Sequence, residues 1–417
     1  MAATKLQPKS VVRGHEAAKF AVIGPVASLR FVLRDVDLYS FPFTSASRNF
    51  KGKPLMRISD VGSMFSTAVV LIAIMVGGSD TVNAAPDEQP TKGAAKQIDL
   101  NRDVSLELVY IPSGTFKMGS TPAERVWATG IEGGATPGTV RESYEGEHPR
   151  LMRVKDGFWM GRTEVSVGQF RRFVEESDYV TDAEQPGGRT HCFDPEWKTT
   201  AKAPPHPWKS MTDKSWRDPN FGFPLRNSYP VVCVSWNDGR AFCKWLTKRE
   251  REGGLLPDDL EYRLPTEAEW AYACRGGRES TFFWWGNDLR DGEGRLNISA
   301  VDFLPGRNKI WPLANAPWSD GFAFVSPVDY YGAKGRNGFG LADMCGGVWE
   351  IVLDHFDPHG GHEDVYFVET KPRPVCRGGN YFDVPGNARC AVRLGLARPD
   401  YSDSRDGFRI CLGVPRG

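Results

Sequence analysis

The chain has 417 residues, room for two average domains or one large one with an appendage. Its 52 basic and 52 acidic residues cancel, and no long basic run appears, so neither nucleic acid nor an anionic membrane surface is expected as partner. The 13 Trp, 45 Gly and 30 Pro argue against a helix bundle and for a loop-rich fold with aromatic anchors.

In chain order, the first recognisable segment lies well inside the sequence. Met56-Arg57, the apolar run from Phe65 to Val76 and the small residues at Val82-Asn83-Ala84-Ala85 have the layout of a secretory signal peptide. The run is short for a membrane span, so residues 56–85 are expected to be a leader cleaved near Ala84 or Ala85, with an uncleaved N-terminal anchor as the alternative. Residues 1–55 are then expected to be a disordered upstream extension, with translation starting at Met56. An exported protein, periplasmic or extracellular, follows. Residues 86–103 read as a linker, being rich in Pro, Gly and charge at their start.

From 104 to 417 a single domain is expected. Leu106–Pro112 alternates like a strand, Ser113-Gly114 is a turn, and Thr115–Gly119 is expected to return as the second arm of a hairpin. Three capping boxes predict helices: Ser166 with Gln169, Ser235 with Asp238, and Thr266 with Glu269. Their buried faces would carry Phe170, Phe173 and Val174; Ala241, Phe242, Trp245 and Leu246; and Trp270 and Ala273. After Gly276 periodicity fades into short strand-like pieces, so caps, disulfides or bound cations must fix the backbone. All eight cysteines lie in this domain, and an even count in an exported chain points to disulfides. Asp354–Asp364 packs His355, His359 and His362 among acids, but its Gly and Pro residues favour a solvated loop over a metal site.

The ordered motifs Ile111–Gly119, Thr163–Ser166, Tyr229–Trp236, Tyr262–Trp270, Gly340–Met344, Gly346–Glu350, Arg377–Tyr381 and Gly407–Arg409 resemble the sulfatase-modifying-factor, or formylglycine-generating-enzyme-like, domain family. The resemblance implies an irregular α+β fold with low secondary-structure content, related to the C-type-lectin-like fold. In the family's enzymes a cysteine pair after the Arg-Gly-Gly element binds Cu(I), which soft thiolates select. Here Asp383 stands at the first of those positions and the second has no counterpart, so copper is not expected. The family's disulfides imply Cys274–Cys390 and Cys243–Cys411; Cys345–Cys376 and Cys192–Cys233 would complete the pairing.

Two structural calcium sites are implied as well. The first would use Asn297, Ile298, Asp320 and Phe322, the second Asp343, Gly346, Val348 and Glu350. Carboxylates mixed with carbonyls suit a hard cation. A cleft lined by Asn380, Tyr381, Asp383, Arg393 and Arg398 is expected. Three functions stay open: a binding or accessory protein, expected to be monomeric, with a peptide or glycan in that cleft; an oxidoreductase that converts a sulfatase cysteine to formylglycine with O2; or an enzyme of another class with Asp383 as general base.

Overall fold

The computed structural model describes residues 90–134, 146–197, 207–300, 316–357 and 372–416, together with the backbone of three short strands near the start. The chain divides into two units, Met1–Asp87 and Glu88–Gly417. In the first, β1 (Lys19–Ala21), β2 (Ser28–Val32) and β3 (Tyr39–Pro42) form an antiparallel sheet in the order β1-β2-β3. These three strands fall within residues 1–55, the expected upstream extension. The Ser-Leu-Arg-Phe-Val and Tyr-Ser-Phe-Pro runs alternate, and their register opposes Leu29 to Phe41 and Phe31 to Tyr39. Residues 56–85, the expected leader, lie outside the described residues, as do His359 and His362. Among the described residues no helix is long and apolar enough to cross a membrane.

The second unit is built on a five-stranded antiparallel sheet. Its members are β4 (Ala95–Asp99), β5 (Ser105–Ile111), β8 (Phe158–Gly161), β11 (Glu261–Arg263) and β16 (Cys411–Gly413), ordered β11-β16-β8-β5-β4. Ala95–Asp99 therefore belongs to the domain as an edge strand, not to a linker. The expected hairpin is also corrected. Gly114–Met118, β6, pairs with β7 (Arg150–Val154), because β5 already has β4 and β8 on its two edges. Gly114 passes so close to Tyr272 that a Cβ there would stand 2.4 Å from its hydroxyl.

The longest described helices are α1 (Pro122–Ala128), α2 (Val167–Ser177), α3 (Trp236–Glu252) and α4 (Glu267–Arg275). All three expected capping boxes are closed in both directions. The buried faces match as well, with Phe170, Phe173, Phe242, Leu246, Trp270 and Ala273 inside and Ala241 and Trp245 half-buried. Phe170, Phe173, Phe242 and Phe408 form one ring cluster on the first core. Trp270 and the cysteines at 274, 345 and 390 belong to the second.

β9 (Thr190–Phe193) pairs antiparallel with β10 (Trp208–Met211), and a four-stranded mixed sheet carries the C-terminal motifs. It orders β14 (Arg393–Gly395), β13 (Pro374–Arg377), β12 (Trp349–His355) and β15 (Asp406–Phe408), with β12 and β15 parallel. Every residue of β12 and β13 is buried, so charged side chains there must find internal partners.

Candidate functional site

Arg377 ends β13, and Gly378 and Gly379 turn the chain with φ of 95° and 78°. A Cβ at Gly379 would meet the Asn387 carbonyl at 2.3 Å, which explains the glycine. The next residues close on themselves. Asn380 donates its backbone N–H and its side-chain amide to Asp383 Oδ2, at 3.2 and 2.5 Å. Asn387 donates to Asp383 Oδ1 at 2.7 Å. Asp383 thus spends its carboxylate on three amide donors of its own loop, while its carbonyl accepts from the Ser299 N–H. Tyr381 is buried, with its hydroxyl 3.4 Å from the Ser404 carbonyl.

The expected cleft does not assemble as a whole. Asn380 and Asp383 are together, but Arg393 is 1% exposed and clamps Glu267 with two bonds of 2.8 and 2.9 Å. Arg398 lies at the surface, 2.7 Å from Asp400. Both arginines leave the set, for the same reason: each has a nearer carboxylate. Aromatic rings back the turn instead, with Trp208 buried and Phe382 half-buried. Trp208 packs edge-on against Phe382 at 4.1 Å, and the Arg405 guanidinium lies 4.3 Å from the Trp208 ring centre.

The copper ligands of the family have no replacement in this turn. A carboxylate is a hard donor, and this one is already bonded, so the residues present do not fit Cu(I).

The first set of cation candidates converges on Asp320. Its Oδ2 accepts from the Ile298 N–H and the Asn297 amide, each at 3.0 Å, and its Oδ1 from the Phe322 N–H at 3.0 Å. The two sets adjoin, because the Asn297 carbonyl accepts from the Gly347 N–H at 2.7 Å.

In the second set Asp343 sits at φ 57° and accepts from the Asp329 N–H at 2.6 Å. Glu350 accepts from Arg409 Nε and Trp270 Nε1, each at 2.6 Å, and from Arg409 Nη2 at 2.5 Å. Its oxygens are therefore already well supplied with donors. A residue that the sequence reading passed over supplies what Glu350 lacks. Glu164 is 2% exposed, and its Oε2 has no hydrogen-bond partner among the described residues. A Cβ on Gly347 would stand 2.9 Å from its other oxygen. Burial, then the nearby Asp343 and Glu350 against the opposing Arg409, push the Glu164 carboxyl well up. Burial likewise raises Asp343 to about 6. Three buried carboxyls facing one guanidinium leave an excess of negative charge beside Gly347. That donor set fits a hard divalent cation. Thr163-Glu164-Val165-Ser166 was visible as a motif, but nothing local marks its acid as inward-facing.

The cysteines fall into groups close to those expected. Cys274 and Cys390 have sulfurs 2.9 Å apart, and Cys192 and Cys233 3.8 Å apart. Burial, and then the neighbouring Cys411, raise the Cys243 thiol. Cys345 is the correction: it joins Cys274 at 4.0 Å instead of Cys376. All eight are buried.

Buried charge continues behind the turn. Glu267 holds both Arg393 and Arg377, and the Asp354 carboxylate accepts the Glu267 N–H at 2.7 Å. Burial, and next the like charge of Glu267, raise Asp354 to about 8. The folded value lies above the unfolded one, so the stability tied to the protonated form is complete in acid and lost as pH rises towards 8. Asp354→Asn is expected to stabilise the domain by a few kcal/mol (on the order of 2) at pH 8.5 and to change little at pH 4. Thermal melts of both proteins across that range check it; parallel pH curves would refute the assignment.

Comparison with known proteins agrees with this architecture. The sulfatase-modifying factor enzyme 1-like domain matches residues 96–413. The formylglycine-generating enzyme of Mus musculus is 32% identical over 321 residues, covering 73% of this chain and 74% of that protein. That of Thermomonospora curvata is 31% identical over 334 residues, covering 75% and 95%. A Bos taurus protein named inactive C-alpha-formylglycine-generating enzyme 2 is 29% identical over 342 residues, covering 78% and 93%. The solved structure of PvdO from Pseudomonas aeruginosa shares the fold, with a TM-score of 0.51 at 22% identity, over 78% of this chain and 100% of that one. The architecture is the irregular, helix-poor α+β arrangement of the formylglycine-generating-enzyme and C-type-lectin-like folds. With its ordered motifs, its capped helices and its mixed C-terminal sheet, the chain belongs to the sulfatase-modifying factor enzyme 1-like domain family.

Proposed function

We propose that this protein is an exported, calcium-stabilised binding or accessory member of its family that does not make formylglycine. The observation that carries the reading is the state of Asp383. Where the family's enzymes place a metal-binding thiol, this chain has a carboxylate bonded to Asn380 and Asn387. Such a turn is a rigid rim for a ligand and not a redox centre. The half-buried Phe382 ring, backed by the buried Trp208 and flanked by Arg405 and Asp383, suits a peptide or a glycan, since both offer apolar faces and hydrogen-bonding edges. Calcium is assigned to the pockets around Asp320 and around Glu164 and Asp343, and the charge excess at the second supports it. The signal-like segment at 56–85 supports export.

The names of several relatives favour the second reading, formylglycine formation, and the missing thiols oppose it. A general-base role for Asp383 is opposed by the three amide donors that already hold it.

Incubation with Cu(I), O2 and a cysteine-containing sulfatase peptide is expected to yield no aldehyde by hydrazide capture and mass spectrometry. Asp383→Cys is expected to stay equally silent, because one thiol does not make the two-sulfur site. Aldehyde from the unmodified protein would end this proposal.

A further inference from the structure

The β9–β10 hairpin is a two-stranded sheet whose arms are joined by the long connection 194–207. A hairpin of that kind is marginal by itself. Cys192 lies in β9, and its sulfur is 3.8 Å from that of Cys233, just before the Ser235 cap of α3. Both residues are fully buried. We propose that Cys192 and Cys233 are an oxidation site, closed as a disulfide that rivets the hairpin to the capping segment of α3.

Two buried sulfurs in contact could hold a metal, fill space as thiols or form a bond. Structural zinc takes four ligands, and among the described residues no third Cys, His, Asp or Glu makes a tight cluster with this pair. The setting differs from that of Cys274, which has Cys390 at 2.9 Å and Cys345 at 4.0 Å. There a bridge leaves a third sulfur over; here two sulfurs face each other. Mere space-filling is opposed by the backbone. Cys233 holds a φ of 57°, a left-handed conformation that a Cβ makes costly and glycine takes freely. A bond from its sulfur offsets that strain. The two segments are also held in place by a common neighbour. The Cys233 N–H donates to the Asp403 carbonyl at 3.0 Å, and the His191 N–H to the Ser402 carbonyl at 3.0 Å. The Ser404 N–H donates back to the His191 carbonyl at 2.8 Å. Bond formation then brings the sulfurs from 3.8 Å to about 2 Å, a closure shared between two side chains.

The bond forms by exchange with a small disulfide such as oxidised glutathione. One cysteine thiolate attacks a sulfur of that disulfide and releases one small thiol. The other attacks the protein sulfur of the mixed disulfide and releases a second. The two cysteines lose two electrons and two protons, and the small disulfide takes both up as two thiols. Burial places the exchange before the hairpin packs, and afterwards shields the bond. The consequence reaches the candidate site. Trp208 belongs to β10, donates its Nε1–H to Ser404 Oγ at 3.2 Å and packs against Phe382. Fixing β9 therefore fixes the ring that backs the Asn380–Asp383 turn. Oxidation in the cell rests on the proposed export, whereas the pairing of these two sulfurs does not.

The test refolds the reduced full chain in oxidised and reduced glutathione, blocks free thiols after unfolding, and maps the peptides without reduction. A peptide pair linked through Cys192 and Cys233 is expected. Cys192→Ala and Cys233→Ala should each lower the melting temperature by about 5–10 °C. The double variant should fall little further, since the same bond is lost in all three. Well below the melt, trypsin should cut at Arg189 and Lys209, both exposed, about tenfold faster in either variant, with cutting at Lys248 on α3 unchanged. Free Cys192 and Cys233 in the map, a link from either to another cysteine, or variants that melt and are cut like the wild type would each overturn the proposal. Should one variant not fold, the other and the map of the unmodified protein decide the matter. A bridge present after refolding but missing from protein taken from cells would count against export and leave the site standing. Aldehyde formation in the peptide assay would count against the proposed function and leave this bridge untouched.

Discussion

Glu267→Gln is expected to destabilise the domain by about 3–5 kcal/mol at neutral pH, a fall in melting temperature on the order of 10 °C. Glu267 is fully buried and is the shared partner of Arg393 and Arg377. Burial alone would raise its carboxyl, but Arg393 and then Arg377 pull it below the ordinary range. Its contribution is therefore complete above the unfolded carboxylate pKa and lost as pH falls through the folded one. Glutamine removes the charge and leaves two guanidinium groups in a dry interior, which costs far more than an exposed pair would.

Asp354 adds a second signature. In the wild type, Glu267 is the largest cause, after burial, of its raised value near 8. Once residue 267 is neutral, Asp354 ionises more readily and supplies part of the missing counter-charge. The penalty of Glu267→Gln should thus shrink between pH 6 and pH 9, and the double variant with Asp354→Asn should be worse than the sum of the singles. Melting curves of the four proteins at those two pH values suffice. A Glu267→Gln protein within about 1 kcal/mol of wild type would show that the ion pairs do not hold this core.

Calcium is expected to raise the melting temperature by several degrees. At a hundredfold excess over Kd, a ligand confined to the folded state adds about 2.7 kcal/mol, or about 5–10 °C for a domain of this size. Chelation should reverse the gain. Glu164 gives the sharper test, because its variant should act with opposite signs in the two states. Without calcium, Glu164→Gln removes a buried carboxyl that burial and Asp343 have pushed up, so the protein should become more stable. With calcium, the same variant loses a charged oxygen from the ligand sphere, and the calcium gain should shrink or vanish. If chelation and calcium produce the same melting curve, or if Glu164→Gln leaves the calcium gain intact, the second pocket does not bind the ion.

Much of this architecture could be read from residues a few positions apart. Ser166 with Gln169, Ser235 with Asp238 and Thr266 with Glu269 placed three helices, because a capping box is closed within four residues and depends little on the rest of the fold. The apolar faces of those helices followed from the same local period. The motifs gave the family and, with it, the proximity of Cys274 to Cys390 and the gathering of Asn297 and Phe322 around Asp320.

What the sequence could not decide was which distant group each charge and each strand edge would meet. Thr115–Gly119 reads as the return arm of a hairpin, yet β5 had its two neighbours from elsewhere and β6 paired with β7. Arg393 reads as a cleft residue, yet its carboxylate partner is 126 positions away. Arg389 meets Glu124 across 265 positions, and Cys345 finds sulfur on α4 instead of on β13. Capping and periodicity are short-range effects that every copy of a local pattern obeys. Buried ion pairs, thiol groups and cation pockets depend on segments that meet only after the chain has packed, so the tertiary structure alone selected Glu164, Glu267 and the three-cysteine group.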